Sequence, residues 1–201
     1  MTAMIYPTTN PSLAEQMVVA RAEGPYIYDK QGKRYLEGMA GLWCTALGYG
    51  NEEIIEAAER QMRELSFSHM FGGKTHASAI ELADKLAAMV PMQDGRVFLG
   101  NSGSDANDTL LKLIRYHAEA SGQPNRIKVI AREQGYHGVT LASAALTAIP
   151  TNHAHFQLPF EALGVLRTGS ANYYRGAHEG ESEAAFVARR AEELEALILS
   201  E

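Results

Sequence analysis

Val97-Phe98-Leu99-Gly100-Asn101-Ser102-Gly103-Ser104-Asp105-Ala106-Asn107 passes from a short apolar strand pattern, through a turn of small residues, into the start of a helix. A helix start leaves backbone N–H groups without partners, and such groups bind phosphate. Gly103 lets the backbone come close to a ligand, and Ser102 and Ser104 add hydroxyl groups. The same residue types also serve turns and helix caps with no ligand present. Both readings stay open on this stretch alone.

Outward from it, the pattern is that of an α/β protein. A helix is expected over about Thr75 to Met89, with Ile80, Ala83, Leu86, Ala87 and Val90 on its apolar side and Pro91 ending it. A strand at Arg96 to Leu99 leads into the turn, and a helix follows from Ser104 to Ala120. Arg126 to Ala131 reads as the next strand. This strand–helix–strand unit predicts parallel pairing of the two strands with a right-handed crossover. Ligands of such sheets sit beyond the carboxyl ends of the strands. The loop Gly100–Ser104 and the loop Arg132–Gly138, which contains Tyr136 and His137, would then converge. A phosphate cradle beside an aromatic ring suits a phosphorylated planar ligand. Val139 to Ala148 reads as a short helix, Pro150 to Gly180 as a long, partly ordered connection, and Glu181 to Leu199 as a last helix.

Toward the N-terminus, a helical patch is expected around Leu13 to Arg21 and a hairpin over Gly24 to Leu36, turning at Asp29 to Gly32. Glu37 to Cys44 suits irregular backbone, and composition alone makes Trp43 a core aromatic. Asn51 caps a helix that reaches about Leu65, with Glu52 and Glu53 in its first turn. Ser66 to Lys74 reads as a loop carrying Phe67, Met70 and Phe71, an apolar set that packs under its domain, lines a pocket or meets a partner.

Bulk properties narrow the class. The 201 residues are 46% hydrophobic and 21% charged, a globular mix. A net charge of -6 argues against a nucleic-acid partner, which needs a basic surface. Cys44 is the lone cysteine, which fits a reducing compartment. No signal-peptide pattern and no run near the ~20 apolar residues of a membrane span are seen, so a cytoplasmic protein without a membrane partner is expected. There is no P-loop, no G-x-G-x-x-G and no G-x-S-x-G. His153 and His155 lack a third ligand at metal spacing, so no metal is expected. His69, His76, His117 and His178 read as surface or loop histidines.

Asn101 to Asp108 is similar to the N-S-G-[ST]-[ED]-A-N signature of class III aminotransferases, and Tyr136-His137-Gly138 matches their Y-H-G loop. Gly38 to Cys44, Leu47 to Gly50 and Phe67 to His76 resemble the ω-amino acid and amine:pyruvate branch. The resemblance implies a fold type I transferase that uses pyridoxal 5'-phosphate. It moves an amino group from an amine or ω-amino acid donor to pyruvate or a similar oxoacid, as a homodimer, while the cofactor alternates between aldehyde and amine forms. It implies that Ser102, Gly103 and Ser104 hold the phosphate, that Tyr136 stacks on the ring and that His137 supports the loop. Leu42, Trp43 and Phe71 would line the substrate pocket. Asp105 stands where many members have Glu. Residues 1–50 would contribute an N-terminal, small-domain segment, and 51–201 the first part of the cofactor-binding large domain.

The family's Schiff-base lysine and its pyridine-pairing aspartate come later than Glu201 in the family's order, and Lys74, Lys85, Lys112 and Lys128 do not sit in the lysine's motif. The chain is therefore expected to be an incomplete, inactive portion of the enzyme. The alternatives are a non-catalytic module for a phosphorylated ligand and a partner subunit.

Overall fold

A computed structural model describes residues 3–10, 12 and 16–201. The chain divides into two compact units, Met1–Asp84 and Lys85–Glu201.

The first unit is built on a three-stranded antiparallel sheet, β1 (Val19–Glu23), β2 (Tyr26–Asp29) and β3 (Arg34–Leu36), in that order. The expected hairpin is β2–β3, with Ile27 opposite Tyr35. Asp29 closes it: its carboxylate accepts the Gln31 and Lys33 N–H groups and the Tyr35 hydroxyl, each at 2.9 Å. The helical patch expected over Leu13 to Arg21 is corrected. Leu13 to Glu15 lie outside the described residues, and from Val19 onward the chain is strand. Pairing of Ala22 with Ile27 and Glu23 with Tyr26 overrides a weak helical period that contains the β-branched Val18 and Val19.

Beyond β3 lies α1 (Ala40–Trp43), a single turn whose residues have positive φ. α2 (Glu52–Glu64) starts where the sequence predicts: Asn51 Oδ1 accepts the Ile54 N–H at 3.2 Å, with Glu52 and Glu53 in the first turn. Its Ile54, Ile55 and Met62 remain exposed. Residues 66–74 form a loop, as expected, and Phe67, Met70 and Phe71 are exposed on it. α3 (Ala77–Met89) follows.

In the second unit, the strand expected at Arg96 to Leu99 is not formed, because no described segment pairs with it and a strand needs a neighbour for its backbone groups. α4 (Gly103–Ala120) follows the turn. β4 (Val129–Arg132) therefore pairs elsewhere: it runs parallel to β5 (Val165–Thr168), in register from Val129–Val165 to Arg132–Thr168. Between them come α5 (Leu141–Leu146) and α6 (Phe160–Leu163). α7 (Tyr173–Gly176) and α8 (Glu183–Ser200) complete the chain.

The stretch from Pro150 to Gly180 is thus not a loose connection. It carries a 3₁₀ turn at Pro150–Asn152, then α6, β5 and α7. Arg167 hides β5 from a periodicity reading, because a charge interrupts four residues of strand. The fold uses that charge: the guanidinium donates to the carbonyls of Ala145, Leu146 and Thr147, capping the end of α5.

Leu111 of α4, Ala131 of β4 and Leu146 of α5 are buried together, with Val129, Ala142 and Val165 packed against them. Phe186 anchors α8, buried and edge-to-face with Tyr173 at 5.6 Å between ring centroids. Beside it Arg189 binds the Glu181 carboxylate at 2.7 and 2.8 Å and the Gly176 carbonyl at 3.0 Å. Those guanidinium bonds hold the Glu181 carboxyl down to about 2.

Candidate functional site

Ser102 is the N-cap of α4. Its extended backbone (φ -162°, ψ 164°) ends the loop, and its Oγ accepts the Asp105 N–H at 3.1 Å. Asp105 turns its carboxylate back to accept the Asn101 N–H at 3.0 Å. The Gly103 and Ser104 N–H groups meet no acceptor among the described residues. They are the donors an anion needs at a helix start.

The loop through Tyr136, His137 and Gly138 is fastened to this helix start. Asn107 Nδ2 donates to the His137 carbonyl at 2.6 Å, and the Val139 N–H donates to Ser104 Oγ at 3.0 Å. Ser104 Oγ is thereby an acceptor within the protein, which leaves its own O–H free to donate. Asp108 Oδ1 accepts the Thr140 hydroxyl at 2.7 Å and the Ser143 N–H at 3.0 Å. From behind, the fully buried Thr147 hydroxyl accepts the His137 N–H at 2.8 Å and donates to the Gly138 carbonyl at 3.1 Å. Gly138 has a φ of +133°, and a Cβ there would stand 2.5 Å from Ser104 Oγ and 2.9 Å from Ser104 Cα. Only glycine allows the loop and the helix to meet this closely. Tyr136 on this loop is 58% exposed.

The two loops converge as predicted, although the strand pairing that motivated the prediction does not form. Their convergence comes from side-chain bonds made by Asn107, Asp108, Thr140, Ser143 and Thr147, to which sequence reasoning gave no role. One signal was present: Asn107 and Asp108 are poor helix formers placed early in a helix, where they compete with the backbone unless another element engages them.

These features fit a phosphorylated cofactor. Two unpaired amides and a hydroxyl form an anion-binding corner, the helix start supplies positive dipole, and an aromatic residue stands on the fastened loop. His153 is engaged otherwise: its ring bonds the Thr147 carbonyl and packs edge-on to Phe160 at 5.1 Å.

Leu42, Trp43 and Phe71 belong to the first unit. Ala40, Gly41, Leu42 and Trp43 have φ values of +47°, +59°, +56° and +67°, a left-handed turn. For residues with a Cβ this hand costs about 1–2 kcal/mol each, so neighbours must hold it. Trp43 is 83% exposed, which corrects its reading as a core aromatic: the left-handed turn carries the indole out of the unit, beside Leu47, Ile54 and Ile55. Leu42 and Phe71 are exposed as well, and no ring contact joins Trp43 to Phe71.

The family model described as aminotransferase class-III matches residues 8–201. The chain belongs to the class III aminotransferases. It is 44% identical over 188 residues to a probable gamma-aminobutyrate transaminase 2, mitochondrial, of Oryza sativa subsp. indica, covering 93% of this chain and 37% of that protein. It is 43% identical over 188 residues to a gamma aminobutyrate transaminase 1, mitochondrial, of Solanum lycopersicum, covering 93% and 36%. Among solved structures it is similar to the omega transaminase from Pseudomonas jessenii in complex with PMP. There the TM-score is 0.93 and the identity 46%, over 98% of this chain and 44% of that one. This class III chain thus spans less than half the length of the relatives it matches. Its architecture is the N-terminal part of a fold type I transferase, and its family uses pyridoxal 5'-phosphate.

Proposed function

We propose that the complete protein containing this chain transfers an amino group from an amine or ω-amino acid to pyruvate or a similar oxoacid. The observation that carries the reading is the fastening of the Tyr136–Gly138 loop to the start of α4, beside the unpaired Gly103 and Ser104 amides. In this reading those amides and the Ser104 hydroxyl hold the cofactor phosphate, and the Tyr136 ring stacks on the pyridine. The Asn107–His137 bond ties the residue after Tyr136 to α4. Bound pyridoxal phosphate supplies the electron sink that makes the donor's amine-bearing carbon acidic. The reactive lysine and the aspartate that pairs with the pyridine nitrogen come from sequence outside these 201 residues, and the working form is a homodimer.

Leu42, Trp43 and Phe71 line the donor pocket in this reading. A thermostable omega transaminase variant engineered for asymmetric synthesis of enantiopure bulky amines replaces a tryptophan, a phenylalanine and an arginine. That tryptophan and phenylalanine stand as far apart in their sequence as Trp43 and Phe71 do in this one. The likeness supports a shared role in limiting donor size.

The test uses the complete protein with pyridoxal phosphate, β-alanine and pyruvate. Alanine should form only when donor, acceptor and cofactor are all present. Borohydride reduction followed by peptide mapping should place the cofactor on a lysine outside residues 1–201. No amino transfer to pyruvate from β-alanine or from a small aliphatic amine, or an adduct on Lys74, Lys85, Lys112 or Lys128, would count against the proposal.

A further inference from the structure

The left-handed turn is held from outside. Glu37 lies just before it, and its Oε1 accepts the Met39 N–H at 3.1 Å while its Oε2 accepts the Gly41 N–H. The Glu37 carbonyl also takes the Ala40 N–H at 3.5 Å. On the other side Gly41 is seated closely: a Cβ there would stand 3.1 Å from Thr45 Oγ1 and 3.2 Å from the Tyr49 hydroxyl. Tyr49 is tied to Gly24, next to β1, by two backbone bonds of 2.8 and 3.0 Å. The turn is therefore braced by the sheet below and by one carboxylate at its entry. Without that carboxylate the Met39 and Gly41 amides lose their acceptors, and the positive φ values of Ala40, Leu42 and Trp43 rest on the turn's own bonds, Trp43 N–H to the Met39 carbonyl at 3.1 Å and Thr45 N–H to the Ala40 carbonyl at 2.9 Å.

We propose that Glu37 is a positioning residue for donor selection: by clamping the left-handed turn it fixes Leu42 and Trp43, and through them the size of amine accepted. This rests on the transaminase reading above. Glu37 itself touches neither donor nor cofactor in this role. The carboxyl group brings a separate oxygen to each amide, whereas a glutamine side chain keeps one acceptor oxygen and replaces the other with an NH2 that cannot accept.

The experiment compares the complete wild-type protein with Glu37→Ala, Glu37→Gln, Trp43→Ala and the double variant Glu37→Ala/Trp43→Ala. Two readouts are used: amide hydrogen exchange across residues 38–45, and cofactor-absorbance rates with a slim donor, β-alanine, and a bulky one, 1-(1-naphthyl)ethylamine. Glu37→Ala should speed exchange in that segment by about tenfold or more. It should also shift the bulky-to-slim rate ratio toward the bulky donor by about tenfold. Glu37→Gln, which keeps one acceptor oxygen, should fall between wild type and Glu37→Ala in both readouts. In the Trp43→Ala background the same substitution should add no further shift. Unchanged exchange overturns the clamp. Equal slowing of both donors, or a further shift in the Trp43→Ala background, overturns the selection role. If Glu37→Ala does not fold, Glu37→Gln against wild type decides both points. If the wild type transfers from neither donor, the transaminase reading fails, and exchange alone then decides whether Glu37 holds the turn.

Discussion

Gly138→Ala should weaken pyridoxal phosphate binding to the complete protein by about a hundredfold, equivalent to ~3 kcal/mol. The added Cβ would press on the Ser143 hydroxyl and stand 2.5 Å from Ser104 Oγ, at a φ of +133° that L-residues rarely adopt. Neither neighbour has room to yield. Ser143 is fully buried and held by Asp108, and the Ser104 backbone belongs to the first turn of α4. The loop must therefore lift from the helix start, taking Tyr136 away from the Gly103 and Ser104 amides. Titration of the cofactor-free protein, followed by absorbance, measures the loss. An affinity within about threefold of wild type would show that the loop and the helix start are not one site.

Thr147→Val should cost about 2–4 kcal/mol of stability. The two side chains have the same shape, so packing is preserved and the hydroxyl alone is removed. The His137 N–H and the Gly138 carbonyl then lose partners at a fully buried position, and each unpaired group costs about 1–3 kcal/mol. Urea unfolding of the complete protein gives the number. A loss below about 0.5 kcal/mol would mean that water or a shifted loop replaces the hydroxyl.

What could be read from the sequence divides along the range of the interactions involved. Ser102 caps α4 through its third neighbour, although the helix was read as starting at Ser104; Asn51 caps α2 the same way and was legible from a short window. The β2–β3 hairpin was legible for the same reason, with Asp29 bonding residues two, four and six positions on. The strand at Arg96 to Leu99 was misread because its apolar pattern is real but pairing takes two segments, and none of the described residues pairs with it. β5 was missed because Arg167 breaks its pattern in order to bond Ala145, Leu146 and Thr147, some twenty positions earlier in the chain. The helix start with its unpaired amides was visible in Ser102, Gly103 and Ser104. The bonds that bring the aromatic loop to it join residues thirty or more positions apart, from Asn107 to His137 and from Asp108 to Ser143, and no local period records them. The left-handed turn was anticipated only as irregular backbone, since nothing in Ala40-Gly41-Leu42-Trp43 except Gly41 favours positive φ.

The most direct test is a crystal structure of the complete protein grown with pyridoxamine 5'-phosphate. The phosphate oxygens should lie at hydrogen-bond distance, about 2.7–3.2 Å, from the Gly103 and Ser104 nitrogens, with the Tyr136 ring over the pyridine. A phosphate bound elsewhere, with these two amides facing solvent, would contradict the account.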